Sequence, residues 1–208
     1  MPAIAMLVDD FDDNTVNGAI WTASYGTYSE TGGRARVACA ADYSAYSSAA
    51  AYTLAGSSIY VRIYPPAAGG AVTTAYGQLS LLSTTAGTEL GAQVNMVTGK
   101  LRCQSNTDYW DAAAVEVTYD STAHAYVRIS EAAGTLTWST SPDGSAWTTR
   151  RTLATPAWVT AATTIQVRLE AHRDSGVADI AEFDNLNTVP AVVAPGDAKK
   201  GALFLGFF

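Results

Sequence analysis

The chain has few side chains that could act on a bond or hold an ion, and they are thinly spread. The densest group is Asp9, Asp10, Asp12, Asp13 and Asn14. Hard oxygen ligands at such short spacing suit Ca²⁺. If the first and last strands of the fold meet, Asp184 joins them. Asp9, Asp10, Asp12 and Asp184 are therefore the candidate ligands of a structural Ca²⁺; no other cofactor is implied. The glycine and distal glutamate of an EF-hand loop are missing, and a solvated acidic loop is the other reading. His124 falls in a turn and His172 at an outward strand position, where both read as solvated surface residues. No Gly-x-Ser-x-Gly elbow accompanies them, so a nucleophilic triad is not indicated. Two His and two Cys without close spacing make no zinc site. No Gly-x-x-x-x-Gly-Lys-Ser/Thr loop is present to cradle phosphate.

Residues suited to recognition are more numerous. Arg34, Arg36, Arg62, Arg102, Arg128 and Arg168 fall on outward strand positions, and Tyr60, Tyr64 and Gln104 share that phase. Tyr109 and Trp110 sit in a loop. Tyr60, Arg62, Tyr64, Arg102, Gln104, Tyr109, Trp110 and Arg128 are thus a candidate face for a glycan or a protein, by ring stacking and bidentate hydrogen bonds. The plainer reading is that Tyr and Arg cover an outer sheet face together with Ser and Thr.

Strands must position these residues. Period-two alternation dominates: Ile59, Val61 and Ile63 against Tyr60, Arg62 and Tyr64; Val127 and Ile129 against Tyr126, Arg128 and Ser130; Ile165, Val167 and Leu169 against Gln166, Arg168 and Glu170. Val115–Thr118 and Thr135–Trp138 repeat it. Ile4–Val8, Arg34–Ala40, Ala50–Leu54, Tyr76–Ser83, Glu89–Met96, Lys100–Ser105, Thr148–Leu153 and Asp179–Leu186 complete roughly thirteen strands, spaced about 8–12 residues apart, as in a sandwich or barrel. No segment has helical periodicity beyond one turn at Ser47–Ala51. Asp143-Gly144 closes a hairpin whose flanking Trp138 and Trp147 could share a core layer. Cys39 and Cys103 sit at apolar-phase positions, as buried free thiols or as one bridge between facing strands.

Nineteen acidic and twelve basic residues give a net charge of −7, which argues against nucleic acid as a partner. No run of about 18 apolar residues exists to span a membrane, and Met1–Asp10 lacks the basic start of a secretory signal. The expectation is a protein assembled in the cytoplasm of its host cell. The domain is expected to span 1–187. Residues 188–208 form a linker with Pro190 and Pro195, then an apolar tip. Leu203, Phe204, Leu205, Phe207 and Phe208 in that tip are candidate docking residues for assembly with itself or another subunit.

Asp9-Asp10-Phe11 near the start and Glu182-Phe183-Asp184-Asn185-Leu186 at the close resemble the concanavalin A-like lectin/glucanase (LamG-like) sandwich. The stretch from Tyr119-Asp120 through Val127-Arg128-Ile129-Ser130-Glu131 to Gly134–Gly144 and Trp147 resembles sandwich domains of minor tail and virion proteins of actinobacteriophages. The resemblance covers about residues 5–187. It implies an all-β, antiparallel two-sheet jelly roll. It also implies a virion component, in a tail, fibre or capsid surface, whose partners are other virion subunits and a host-surface glycan. A carbohydrate-binding module is the alternative role. Glucanases of this class carry Glu-x-Asp-x-x-Glu on one strand, where alternate carboxylates share a face. The nearest match here, Glu182 to Asn187, ends in an amide. The expectation is therefore a protein that is not an enzyme.

Overall fold

The computed structural model describes residues 1–161 and 164–188. In chain order the strands begin with β1 (Tyr28–Glu30), β2 (Ala35–Cys39), β3 (Ser44–Ser47), β4 (Ser58–Tyr64), β5 (Ala75–Leu82), β6 (Glu89–Asn95) and β7 (Lys100–Asn106). They continue with β8 (Val115–Thr118), β9 (Tyr126–Ala132), β10 (Thr135–Ser141), β11 (Thr148–Ala154), β12 (Gln166–Arg173) and β13 (Asp179–Asp184). One helical turn, α1 (Ala157–Ala161), tucks Val159 into the core. Among the described residues no helix is long and apolar enough to cross a membrane.

The strands form two antiparallel sheets. One has seven strands in the order β1-β2-β13-β4-β9-β10-β11, the other six in the order β3-β12-β5-β6-β7-β8. The period-two pattern explains why they stack. Ile59, Val61 and Ile63 of β4 and Val127 and Ile129 of β9 point inward from the seven-stranded sheet. They meet Leu79 and Leu81 of β5, Leu90 and Val94 of β6 and Val167 and Leu169 of β12. Each inward residue leaves water almost completely, at about 25 cal/mol per Å² of apolar surface. Early and late strands meet at β2, β13 and β4, where Phe183 pairs with Ala35 on one side and Ile63 on the other. The last strand thus seals the sheet that the first strands begin.

Several local expectations change. Ile4–Met6 is a 3₁₀ turn, not a strand, and Ala50–Leu54 contributes only the Tyr52 and Thr53 bridges. Both segments are short and make single bridges instead of a ladder, Ala3 with Thr53 and Tyr52 with Ile165, while Ile4, Leu7 and Leu54 are buried in the core. Two strands carry too little apolar alternation to be read in advance: β1, Tyr-Ser-Glu, and β3, Ser-Ala-Tyr-Ser. Ser47–Ala51 forms no helix; among the described residues the α-helical turn is α1. Trp138 is in the core, but Trp147 lies on the outer face of the seven-stranded sheet, against Tyr60. The turn between them holds itself: Ser141 Oγ accepts from the backbone N–H of Asp143 and Gly144, and Asp143 accepts from those of Ser145 and Ala146. His124 is buried, not solvated, and its Nδ1 accepts the Asp120 N–H at 3.0 Å. Cys39 and Cys103 are free, buried and in different sheets.

Candidate functional site

The outward residues of the six-stranded sheet line up in rows. His172, Tyr76, Asn95 and Lys100 make one row across β12, β5, β6 and β7; Glu170, Gln78, Gln93 and Arg102 make the next. Arg168, Ser80, Gly91 and Gln104 follow, then Gln166, Leu82, Glu89 and Asn106. Most of these are hydrogen-bonding groups, whereas the alternate positions are the core. The rows form the floor of a cleft of about 930 Å³.

Gly91 lies on β6 in the row of Ser80 and Gln104. A Cβ there would stand 2.9 Å from Gln104 Nε2 and 3.2 Å from Gln78 Nε2. Its absence lets the two amides close over the strand. From the core side, Trp138 Nε1 donates to the Gly91 carbonyl at 3.0 Å, which ties the floor to the packed interior.

Three glutamates line this cleft; Glu116 is paired with Arg102 at 3.0 Å, and the other two belong to the floor. Glu170, only 7% exposed, accepts from the Tyr25 hydroxyl at 2.8 Å, the Tyr76 hydroxyl at 3.0 Å and Arg168 Nη1 at 3.2 Å. Glu89 is half-buried and takes amides instead: Gln78 Nε2 at 3.2 Å, Asn106 Nδ2 at 3.2 Å and Gln104 Nε2 at 3.5 Å. Gln78 is itself oriented by Gln93 Nε2 at 2.8 Å and by Ser80 Oγ. Burial, with the negative charge of Glu170, pushes the Glu89 carboxyl above the usual carboxylate range despite those amides. Burial also raises the Tyr76 and Tyr25 hydroxyls, so both stay protonated donors toward Glu170.

Flat rings stand at both ends. At one end Tyr43, half exposed at 50%, stacks on His172 with centroids 4.0 Å apart and an 8° tilt. At the other, Tyr109 and Trp110 are 72% and 64% exposed. Their loop is fixed from below. Asp111 accepts Arg151 Nη1 at 2.6 Å and the backbone N–H of Ser105 and Ala113, while Arg102 donates to the Asp111 carbonyl and lies 4.8 Å beneath the Trp110 ring. Asp108 and Tyr109 both take left-handed backbone angles, φ 53° and 65°, an uncommon conformation for residues with side chains. Gly87 permits this turn to approach, since a Cβ there would lie 2.7 Å from the Tyr109 nitrogen.

The residues singled out from sequence divide between two surfaces. Arg102, Gln104, Tyr109 and Trp110 belong to the cleft. Tyr60, Arg62, Tyr64 and Arg128 lie on the opposite outer face, on β4 and β9 of the other sheet. Glu182 is there too, paired with Arg34 at 2.6 Å and Arg36 at 3.0 Å, away from the cleft. Leu203, Phe204, Leu205, Phe207 and Phe208 lie outside the described residues. Asp9 turns its carboxylate to Trp21 Nε1 and the Phe11 N–H, and Asp10 to the Asp12 N–H. Asp184 sits near Asp12 and Arg62. Among the described residues no three His, Cys, Asp or Glu side chains gather as a metal site. Glu89 and Glu170 were not singled out from sequence. Glu89 opens the outward series of β6, followed by Gly91, Gln93 and Asn95, and Glu170 is the one acid in the outward series of β12.

No family model and no curated protein matches the chain. Solved structures share its fold. The catalytic domain of an endo-1,3-β-glucanase (laminarinase) from Thermotoga petrophila superimposes with a TM-score of 0.63 at 10% identity, over 86% of this chain and 94% of that one. A structure described with endo-acting O-glycanases of the human gut microbiota, which initiate mucin breakdown, gives 0.61 at 11% identity, over 86% and 96%. The CBM2 module of the evolved Dit protein of Lactobacillus casei BL23 phage J-1 gives 0.50 at 10% identity, over 79% and 81%. The chain is a concanavalin A-like sandwich. The expectation that it is not an enzyme is overturned, because this fold is shared with catalytic domains of glycan-cleaving enzymes. The sequence argument tested only the closing strand, and the cleft is built elsewhere.

Proposed function

We propose that the protein binds a glycan chain in the cleft of its six-stranded sheet. The observation that carries this reading is a floor of amides, hydroxyls and charged groups running between two exposed aromatic platforms, Tyr43 on His172 and Tyr109 with Trp110. Sugar rings present apolar faces that stack on such platforms and equatorial hydroxyls that suit bidentate amide and guanidinium partners. Gln93 holds Gln78, and Gln78, Gln104 and Asn106 are all held by Glu89, so little side-chain freedom is lost on binding. The glycan-related neighbours add support through fold alone. The test is titration calorimetry with laminari-, xylo- and chitohexaose. Binding that weakens in Trp110→Ala supports the cleft; binding that is unchanged by loss of both platforms rejects it.

A bacteriophage particle is the setting this reading favours. The resemblance across residues 5–187 and the likeness to a phage Dit module support it. Mass spectrometry of purified particles checks it: absence of the chain from them would rule that setting out.

A further inference from the structure

Two of the acids lining the cleft are matched by a cation. Glu170 accepts from Arg168 Nη1 at 3.2 Å, and Glu116 from Arg102 Nη1 at 3.0 Å. Glu89 is not matched. Its donors are three neutral amides, all on Oε1, and among the described residues no donor reaches Oε2. Glu89 lines the cleft, and its Oε2 is not sealed from solvent as the lone oxygen of Glu30 is. The remaining lining cation, Lys100, donates to Thr118 Oγ1 at 3.2 Å. Lys100 pairs with Asn95 in the ladder, whereas Glu89 pairs with Asn106, six residues and about 20 Å further along β7. A carboxylate drawn out of water without a countercharge is costly, and it takes up a proton or attracts a cation. Burial accordingly holds the Glu89 carboxyl above the usual range. The Tyr109 N–H donates to the Gly87 carbonyl at 2.9 Å, two residues before Glu89, so this acid and the Tyr109–Trp110 platform belong to the same end of the cleft.

Resting on the glycan-binding reading, we infer that the cleft selects a glycan with free amines, the ammonium of an amino sugar pairing with Glu89 Oε2. An ammonium brings three donors to an oxygen that lacks one. It also supplies the missing countercharge in a cleft partly shielded from water, where an ion pair is stronger than at an open surface. An acetylated amine in the same place carries no charge and leaves Glu89 unmatched. An anionic sugar there meets an unpaired carboxylate and is disfavoured. The net charge of −7 draws cationic chains toward the protein as a whole but does not choose a position on it. The choice of position falls to the one lining acid without a cation.

The test uses the full chain and two hexasaccharides of one skeleton, chitohexaose and its fully deacetylated form, hexaglucosamine. Calorimetry at pH 6, where an amino-sugar nitrogen carries its proton, reads both affinities, and their ratio is compared. The expected result is that hexaglucosamine binds about tenfold or more tighter than chitohexaose. That ratio should collapse toward one in Glu89→Gln and hold in Glu182→Gln, which removes the same charge from the opposite face. Equal binding of the two by the parent, or binding of laminari- or xylohexaose alone, overturns the inference and leaves the glycan-binding reading intact; this comparison needs no variant to fold. A ratio that survives in Glu89→Gln, with melting as in the parent, or that falls as far in Glu182→Gln, overturns the assignment to Glu89. No binding of any of the four hexasaccharides rejects the reading and the inference together.

Discussion

The two outer faces of the sandwich use the same residue types to opposite ends. On the seven-stranded sheet, Arg and Tyr satisfy each other. Arg34 lies 3.7 Å over Tyr64, Arg62 sits between Tyr64 and Tyr126 at 4.7 and 5.7 Å, and Arg128 covers Trp147 at 4.2 Å. On the six-stranded sheet the rings stand clear at the rim, and the polar floor is wired together beneath them. Cations also meet rings in the cleft, Arg102 under Trp110 and Arg168 over Tyr25, but there Tyr43, Tyr109 and Trp110 stay 50%, 72% and 64% exposed. The difference comes from loops. The Tyr109–Trp110 turn and the Tyr43 segment rise beyond the strand ends, whereas Tyr60, Tyr64 and Arg128 lie within strands and can only lie flat.

Breaking the support of each face should separate them most sharply. Arg151 and Asp111 are a buried pair at 2.6 Å, with side chains 6% and 8% exposed. Asp111→Ala leaves a buried guanidinium and should cost about 3–5 kcal/mol in urea unfolding. Glu182→Ala removes the partly exposed partner of Arg34 and Arg36 on the other face and should cost about 1 kcal/mol or less. Equal losses would mean that the cleft rim is no better anchored than the opposite face. Burial alone would raise the Asp111 carboxyl, but the Arg151 hydrogen bond and the N–H groups of Ser105 and Ala113 leave it below the usual range. Its contribution is therefore present at neutral pH and is lost as pH falls through that depressed value.

Affinity should divide along the same line. Trp110→Ala and Tyr43→Ala should each weaken hexasaccharide binding about tenfold, near 1.4 kcal/mol. Trp147→Ala should leave it unchanged. A loss at Trp147 equal to that at Trp110 would move the ligand to the wrong face.

The sequence made the strands legible where apolar residues alternate, in β4, β9, β10 and β12. It made legible that Tyr60 and Arg102 both point outward. It could not say that they point outward from different sheets, because period two reports a face of a strand and not its neighbours. That is why one candidate surface became two. Glu89 and Glu170 escaped for the same reason: each is one outward acid on its strand, and only the ladder through β5 brings them to one cleft. Strand β1 escaped because its three residues hold an exposed Ser29 and a buried Glu30, and β3 because its buried Ser44, Ala45 and Ser47 carry no hydrophobic pattern.

Acids sharpen the contrast at smaller magnitude. Glu89 has three amide donors, whereas Glu30 at the edge of the seven-stranded sheet receives, among the described residues, only the Thr15 N–H and keeps a buried oxygen without a partner. Burial first, then the neighbouring Asp13 and Asp9 carboxyls, push the Glu30 carboxyl up to about 7. A raised folded value means that the folded state binds the extra proton. Stability is then full at low pH and falls as pH rises from the ordinary glutamate value toward 7. Glu30→Gln should remove that fall and stabilise the protein at pH 8 by on the order of 1 kcal/mol, read as a shift in the urea midpoint. At pH 4 it should change nothing. A stabilisation equal at both pH values would mean that ionisation of Glu30 is not its source.

The smallest effect tests whether the opposite face is truly occupied with itself. Arg128 and Trp147 form one stack, with Tyr60 edge-on to Trp147 at 5.6 Å. A guanidinium over an indole ring is worth about 0.5–1 kcal/mol where water still reaches it. Arg128→Ala, Trp147→Ala and the double variant close a cycle in which that coupling should appear as non-additivity. The isolated costs include lost packing of the Arg128 stem; the coupling term removes them. A coupling near zero would mean that the two groups merely lie close, so that the ring is free to receive a ligand and the contrast between the faces collapses. A coupling in the expected range would mean that a ligand must first break the stack, and this cost works against binding there and leaves the cleft the favoured surface.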